Sequence, residues 1–499
     1  MSLFKVKNSW SGQKFPHPPG RRPVAYDAFN LRTGTPLANI MRLGAGLGPL
    51  FEVRVFQQKF VFVADAALAA ELCDESRFHK NLPPAVAALR EFVGDGLFTA
   101  YDHEPNWHTA HGILMPAFTK SAMRGYHETM VETVDEMFAM WGDRTGPIDV
   151  TADMTRLTLE TISRCAFSRD FGSFTSPERH PFVDAMIAAL MTGMQKSAVE
   201  PIPGGKRIAR RIDEANAAHL AYVDELVDDL IRERRASGAR PGDLLDRLLD
   251  ESHPQTGRRL DDTNIRQQIL TFLVAGHETT SGALSFTLYY LSRHPDVLAR
   301  AQEETDALLG PDPDAVPTFE QVPRFRHLRR CLDEALRLWP TAPAFARSPR
   351  ETTRIAVGTD REAVMTPDDW AIIVLPMVHR DRRAWGPTAD EFDPDRFLPE
   401  NSRGRMKNVY KPFGTGERSC IGRQFALHEA ILVLARLLHR YDIAGDPDYE
   451  LQIDERLTIV PKGFRLTLTP RTPNSRPAGA PASDEGPADR PAGTCPVAH

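Results

Sequence analysis

The run Phe413-Gly414-Thr415-Gly416-Glu417-Arg418-Ser419-Cys420-Ile421-Gly422 constrains this chain more than any other feature. It ends around a cysteine and passes directly into an amphipathic stretch through Phe425, Ile431, Leu434 and Leu438. A cysteine at the start of a helix meets free backbone N–H groups and the positive end of the helix dipole, which both favour its thiolate. The glycines permit turns with positive φ and let the backbone lie close against a flat cofactor. Phe413 is placed to shield the sulfur, and Arg418 to pair with a cofactor carboxylate. A lone cysteine beside glycines is more often a small buried packing residue. The number of fixed positions around this one makes that the weaker reading.

Cys73, Cys165, Cys331 and Cys495 are far apart and form no Cys-x-x-Cys pair, so the cysteines read as a reduced set. At 499 residues, 41% hydrophobic and 26% charged, the chain can bury a large core. Its 61 basic and 67 acidic residues give a formal net charge of -6 with no long single-sign run. Neither nucleic acid nor an anionic membrane is called for as a partner. The first residues, MSLFKVKNSWSGQKFPHPPGRRP, lack an apolar core of signal-peptide length. The most apolar segment, residues 269–291, is broken by His277, Glu278 and hydroxyl residues, which argues against a membrane span. The expectation is a cytoplasmic chain without a membrane anchor.

Phe51-Glu52-Val53-Arg54-Val55 and Phe60-Val61-Phe62-Val63, joined through Gln57-Gln58-Lys59, predict a β-hairpin. From Ala66 to about Leu451 helical spacing dominates, with long segments at residues 154–166, 215–236 and 264–292. Phe464, Leu466 and Leu468 alternate with polar residues until Pro470 stops the strand. The spacing predicts one domain over residues 1–469. Residues 470–499, rich in proline, alanine and glycine, predict a disordered tail or linker.

Two further patterns bear on a site. Glu334 and Arg337 are three residues apart and share a helix face, which alone is an ordinary ion pair. Ala275-Gly276-His277-Glu278-Thr279-Thr280 is a polar cluster inside an apolar helical stretch that resumes at Ala283, Leu284 and Phe286. Thr can also cap a new helix, but no proline or turn cluster intervenes. Buried polar groups need partners, and a functional site supplies them.

The pattern at 413–422 resembles the signature loop of the cytochromes P-450. Longer runs, CDESRFHKN, GDGLFT, MTRLTLETI, LDDTNIRQQILTFLVAGHETTSGALSF, DEALRLWPTAPAF and SCIGRQFALHEA, lie within most of residues 51–469. They are similar to the haem domain of bacterial self-sufficient fatty-acid hydroxylases, in which that domain is fused to a diflavin reductase.

The resemblance implies a mainly α fold with a small β lobe, a triangular helical prism around one haem b, with Cys420 as iron ligand. By the same resemblance, Lys80, Trp107, His111 and Arg418 contact the haem propionates, and Ala275 and Gly276 lie beside the haem with Phe413. Glu278 and Thr279 match the acid and alcohol that relay protons. Glu334, Arg337 and Arg396 match a structural lock in the core.

Phe98, Ala342 and Leu457 match pocket lining. At the channel mouth Gln58 and Phe62 stand where the family members use an arginine and a tyrosine for a fatty-acid carboxylate, with Lys59 next door as a substitute. The implied reaction is insertion of one oxygen atom from O2 into a C–H bond, sub-terminal on a fatty acid. Electrons come from NADPH through FAD and FMN on a reductase, fused or separate. The rival substrate is a neutral hydrophobic molecule. A peroxide-driven enzyme can dispense with the acid–alcohol pair, which is intact here. A haem-based sensor would lack a signalling domain to receive its output.

Overall fold

The computed structural model describes residues 10–471 except 11, 24, 32–34, 57, 143–145, 177, 179 and 200–203. Helices dominate it. Four of them, Asp262–Arg293, Lys120–Trp141, Val150–Phe167 and Arg423–Arg440, carry much of the buried core. Helix Asp262–Arg293 starts where the Asp261 side chain accepts from Asn264 N at 2.8 Å, an N-cap that satisfies one otherwise free donor. It then continues through the polar cluster without interruption. Val150–Phe167 packs against it closely enough that a Cβ on Gly276 would meet Ile162 at 2.7 Å. At the same crossing Thr158 Oγ1 donates to His277 O at 2.8 Å, so the backbone of the cluster is tied to its neighbour.

The β lobe is a five-stranded mixed sheet in the order Leu50–Val55, Gln58–Val63, Ala371–Val374, Ala344–Pro349, Phe78–Asn81. Three of these strands come from inside the span expected to be mostly helical. The hairpin is present, but Val55 pairs with Gln58, so Gln58 and Lys59 belong to the strand and not to the turn. Alternation along that strand sends Val61 and Val63 into a core with Leu50 and Ile373, while Phe62 joins Phe51, Val53 and Ile372 on the opposite face.

The three long helical segments expected from spacing correspond to Val150–Phe167, Gly205–Ser237 and Asp262–Arg293. Strand Arg465–Pro470 runs one residue past the expected domain end, with Pro470 opposite Tyr441. Arg471 is also docked: its N–H donates to Arg440 O and its guanidinium pairs with Asp306 at 2.8 Å. Paired structure thus continues two residues past 469, where a buried ion pair holds Arg471. Residues 472–499, the rest of the expected tail, lie outside the described residues. No helix among the described residues is long and apolar enough to cross a membrane.

Candidate active site

Helix Asp262–Arg293, the loop before helix Arg423–Arg440 and one face of the sheet enclose a cavity of about 1180 Å³. Cys420 opens onto it. The cysteine N–H donates to Phe413 O at 2.8 Å, which folds the loop back on itself, and Gly414 and Gly416 take φ of 73° and 67°. The φ of 67° at Gly416 is what calls for glycine there, since a Cβ would meet only the movable Glu75 carboxylate. The helix begins only at Arg423. Burial pushes the Cys420 thiol up, while the Gly422 N–H and the charge of Arg423 act to lower it. The expected help to the thiolate from the helix start is thus present in the Gly422 N–H, and burial opposes it.

From the long helix, Ala275, Gly276, Thr279 and Thr280 line the cavity. Thr279 Oγ1 donates to Ala275 O at 2.8 Å. Glu278, one residue earlier, is turned out of the cavity: its Oε1 lies 3.2 Å from Arg456 Nη1. The acid and the alcohol are therefore neighbours in the chain that address different surroundings. Arg456 itself lines the cavity.

A second group of residues brings positive charge to the cavity wall. Arg418 lies over the Trp107 ring, 4.3 Å from its centroid, and donates through Nη2 to Ala100 O. Burial pulls its guanidinium down to about 10. His111 stacks on Trp107 with 4.8 Å between centroids. Lys80 donates to Phe98 O, and burial, then Arg418, hold its amine well below the ordinary lysine range. Arg347, which sequence reasoning missed, joins them from strand Ala344–Pro349 and lines the same cavity. It is only 4% exposed. Its one side-chain contact of this kind is Thr415 Oγ1 at 3.5 Å, and its Nε has no hydrogen-bond partner among the described residues. Asp102 stands 3.5 Å from Arg418 Nη1, yet neither atom of that pair makes a hydrogen bond there. Buried donors left over in such number point to an acidic ligand. A flat molecule with two carboxylates and a metal for Cys420, which haem is, fits this donor set.

Phe98, Ala342, Leu457, Gln58 and Phe62 all line the cavity. Lys59 does not. Its Nζ lies 3.0 Å from Glu52 Oε2, donates to Gln13 O at 2.6 Å and sits 4.9 Å from the Phe15 ring centroid. Strand alternation sends Gln58, Phe60 and Phe62 to the cavity and Lys59 to the other face, so the expected carboxylate contact from Lys59 is corrected. At the cavity rim Glu455 accepts from Leu37 N at 2.5 Å and Ala38 N at 3.0 Å, joining hairpin Ile453–Glu455 to helix Pro36–Gly44.

Away from the cavity, Glu334, Arg337 and Arg396 form the expected core lock. Arg396 Nε lies 3.2 Å from Glu334 Oε1, and Arg337 donates to the carbonyls of His379, Ala389 and Glu391.

Residues 16–468 match the family described as cytochrome P-450. The chain is 43% identical over 440 residues to bifunctional cytochrome P-450/NADPH–P-450 reductase 1 of Bacillus subtilis, which covers 87% of this chain and 40% of that protein. It is 41% identical over 440 residues to the bifunctional cytochrome P-450/NADPH–P-450 reductase of Bacillus cereus, with the same coverage. A self-sufficient cytochrome P-450 monooxygenase of Penicillium freii is 39% identical over 454 residues, covering 90% of this chain and 42% of that protein. The chain thus spans about two fifths of the length of the curated relatives it matches.

Proposed function

Since the chain belongs to the cytochrome P-450 family, we propose that it is a haem-thiolate monooxygenase that inserts one oxygen atom of O2 into a C–H bond of a fatty acid or similar hydrophobic molecule. Electrons would come from NADPH through the FAD and FMN of a diflavin reductase, fused beyond the proline-rich segment 472–499 or separate, in the cytoplasm. The observation that carries this reading is that Cys420, Thr279 and a set of under-partnered cations share one largely apolar cavity.

Bound haem would supply the iron at which dioxygen is activated, and thiolate ligation by Cys420 would favour O–O cleavage. The chain's own residues do the rest. Cys420 would ligate the iron through Sγ, with Phe413 covering the sulfur. Arg418, Lys80, Arg347 and His111 would hold the propionates, with Trp107 beneath the Arg418 guanidinium. Ala275 and Gly276 leave the long helix without bulk where the cofactor must approach. Thr279 Oγ1 can hand its proton into the cavity, and Glu278 would resupply it. Phe98, Ala342 and Leu457 shape the apolar part, and a ring at Phe98 would favour oxidation short of the chain end.

A neutral hydrophobic substrate is the second reading, favoured by one observation: Lys59 is engaged by Glu52 on the far face of its strand. Gln58 and Phe62 then meet the head group without a formal charge. The test is optical and kinetic. The reduced carbon monoxide complex of the haem-loaded protein should have the red-shifted Soret band of thiolate ligation, lost in Cys420→His. With reductase supplied, Thr279→Ala should lower product formed per NADPH consumed. A histidine-type band in folded wild type would overturn the proposal.

A further inference from the structure

Glu278 is a carboxyl group set in the wall of an apolar helix, and a buried acid needs a partner held in good geometry. Arg456, beside the end of hairpin strand Ile453–Glu455, provides one. Its Nη1 lies 3.2 Å from Glu278 Oε1, while Nη2 and Nε lie 2.8 and 3.1 Å from Asp454 Oδ2. Side-chain exposure falls from 36% at Asp454 through 21% at Arg456 to 3% at Glu278. The second oxygen, Glu278 Oε2, has no hydrogen-bond partner among the described residues. Thr279 is the next residue and reaches the cavity that Arg456 also lines.

We propose that Arg456 is a positioning residue for proton delivery. It holds Glu278 by one oxygen, leaves the buried Oε2 without a hydrogen-bond partner among the described residues, and forms with Asp454 the outer end of a polar path toward Thr279. This inference rests on the reading of Glu278 and Thr279 as a proton relay. In the step, a hydronium ion arriving at the Asp454–Arg456 end gives its proton to Glu278, leaving water, and Glu278 passes a proton to Thr279 Oγ1 as the hydroxyl proton of Thr279 passes into the cavity. Glu278 returns to its carboxylate, and neither residue is oxidised or reduced.

A purely structural role, clasping the hairpin to the helix, is the alternative. Two features count against it. Asp454 alone suffices to anchor the guanidinium near the surface, and the shared contact leaves one carboxylate oxygen idle where a fully clasped acid would use both. A head-group contact is the other alternative, since Arg456 faces the cavity. It conflicts with the guanidinium already lying between two carboxylates.

The experiment uses haem-loaded protein with a diflavin reductase, NADPH and myristic acid as the probe. Wild type, Arg456→Leu, Arg456→Lys and Thr279→Ala are compared in product and peroxide formed per NADPH, in the solvent deuterium isotope effect on product formation, and in spin-state titration. Arg456→Leu should lower coupling by about tenfold, less than the roughly 10²–10⁴ that a positioned acid contributes because Glu278 itself is retained, and raise the isotope effect. Its fatty-acid Kd should stay within about twofold of wild type, since uncoupling without weaker binding is the mark of proton delivery. Arg456→Lys should recover most of the coupling.

Wild-type coupling in Arg456→Leu, or no recovery with lysine, would overturn the inference. A weaker Kd with unchanged coupling at saturation would also overturn it and make Arg456 a head-group contact. Should the leucine variant fail to hold haem, Arg456→Gln removes the charge while keeping a polar side chain. If Thr279→Ala uncouples and the Arg456 variants do not, this inference alone falls. If Thr279→Ala leaves coupling intact, the relay reading falls with it.

Discussion

Arg337 Nε lies 2.6 Å from Glu334 Oε2, and neither side chain is reached by solvent. Glu334 also accepts from Asp393 N at 2.9 Å, and Arg337 donates to three carbonyls of the segment 379–391. Removing one partner leaves the other buried without compensation, which costs about 3–5 kcal/mol. Arg337→Leu should therefore lose that much stability in urea denaturation, or fail to accumulate as soluble protein. A loss below about 1 kcal/mol would mean the lock is dispensable.

Arg347 gives a prediction about cofactor retention. Its unpartnered Nε and its place among Lys80 and Arg418 on the cavity wall make it a donor for a haem propionate. A hydrogen bond to a charged group contributes about 1.5–3 kcal/mol, so Arg347→Leu should release haem to apomyoglobin about tenfold faster. The carbon monoxide spectrum should not change, because the iron ligand is untouched. Release at the wild-type rate would remove Arg347 from the site.

The mouth of the cavity can be tested for head-group recognition. Lys59→Ala should leave the fatty-acid Kd unchanged, because Lys59 is held by Glu52 on the other face of the sheet. Gln58→Arg should tighten it by on the order of 1 kcal/mol, as a partly exposed charge-assisted contact does. Spin-state titration with a fatty acid and with its amide separates the two. Equal affinity for acid and amide in Gln58→Arg would mean that the head group does not reach this strand.

Glu429, in helix Arg423–Arg440, is buried with neither carboxyl oxygen hydrogen-bonded among the described residues, and that burial pushes its carboxyl up to about 8. The folded state then holds a proton that the unfolded chain releases above about 4.5. Its contribution is intact below that value and is lost as pH rises through about 8, at up to about 1.4 kcal/mol per pH unit. Urea denaturation at about pH 5 and about pH 7.5 should find Glu429→Gln gaining on wild type by on the order of 2 kcal/mol at the higher pH. Parallel stability profiles would refute this.

What could be read in advance follows from how local each requirement is. The cysteine loop was legible because its glycines, its Cys420 N–H to Phe413 O bond and the following helix are all set within a few residues. The polar cluster at 275–280 was legible because a helix shows its periodicity on both sides of an interruption. Strands Phe78–Asn81 and Ala371–Val374 were not, since Phe62 pairs with Ile372 more than three hundred residues away and a short apolar run fits strand or helix alike. The side taken by Lys59 depended on where the hairpin turn falls, and a one-residue change of phase reverses every side chain. Arg347 and Arg456 carry no motif. The nearest signal was their placement beside recognised pocket residues, Ala342 and Leu457, and their use depends on Lys80, Arg418 and Glu278, far off in the chain.

The carboxylate of Glu455 grips two consecutive backbone N–H groups at the start of helix Pro36–Gly44 while Leu457, two residues further on, overhangs the cavity. Helix and hairpin are thereby harnessed as one shutter. A wide guest cannot pry up either edge by itself, because lifting one must either break both bonds or carry the other along. Entry and escape share that threshold, so a compound that is slow to enter should also be slow to leave.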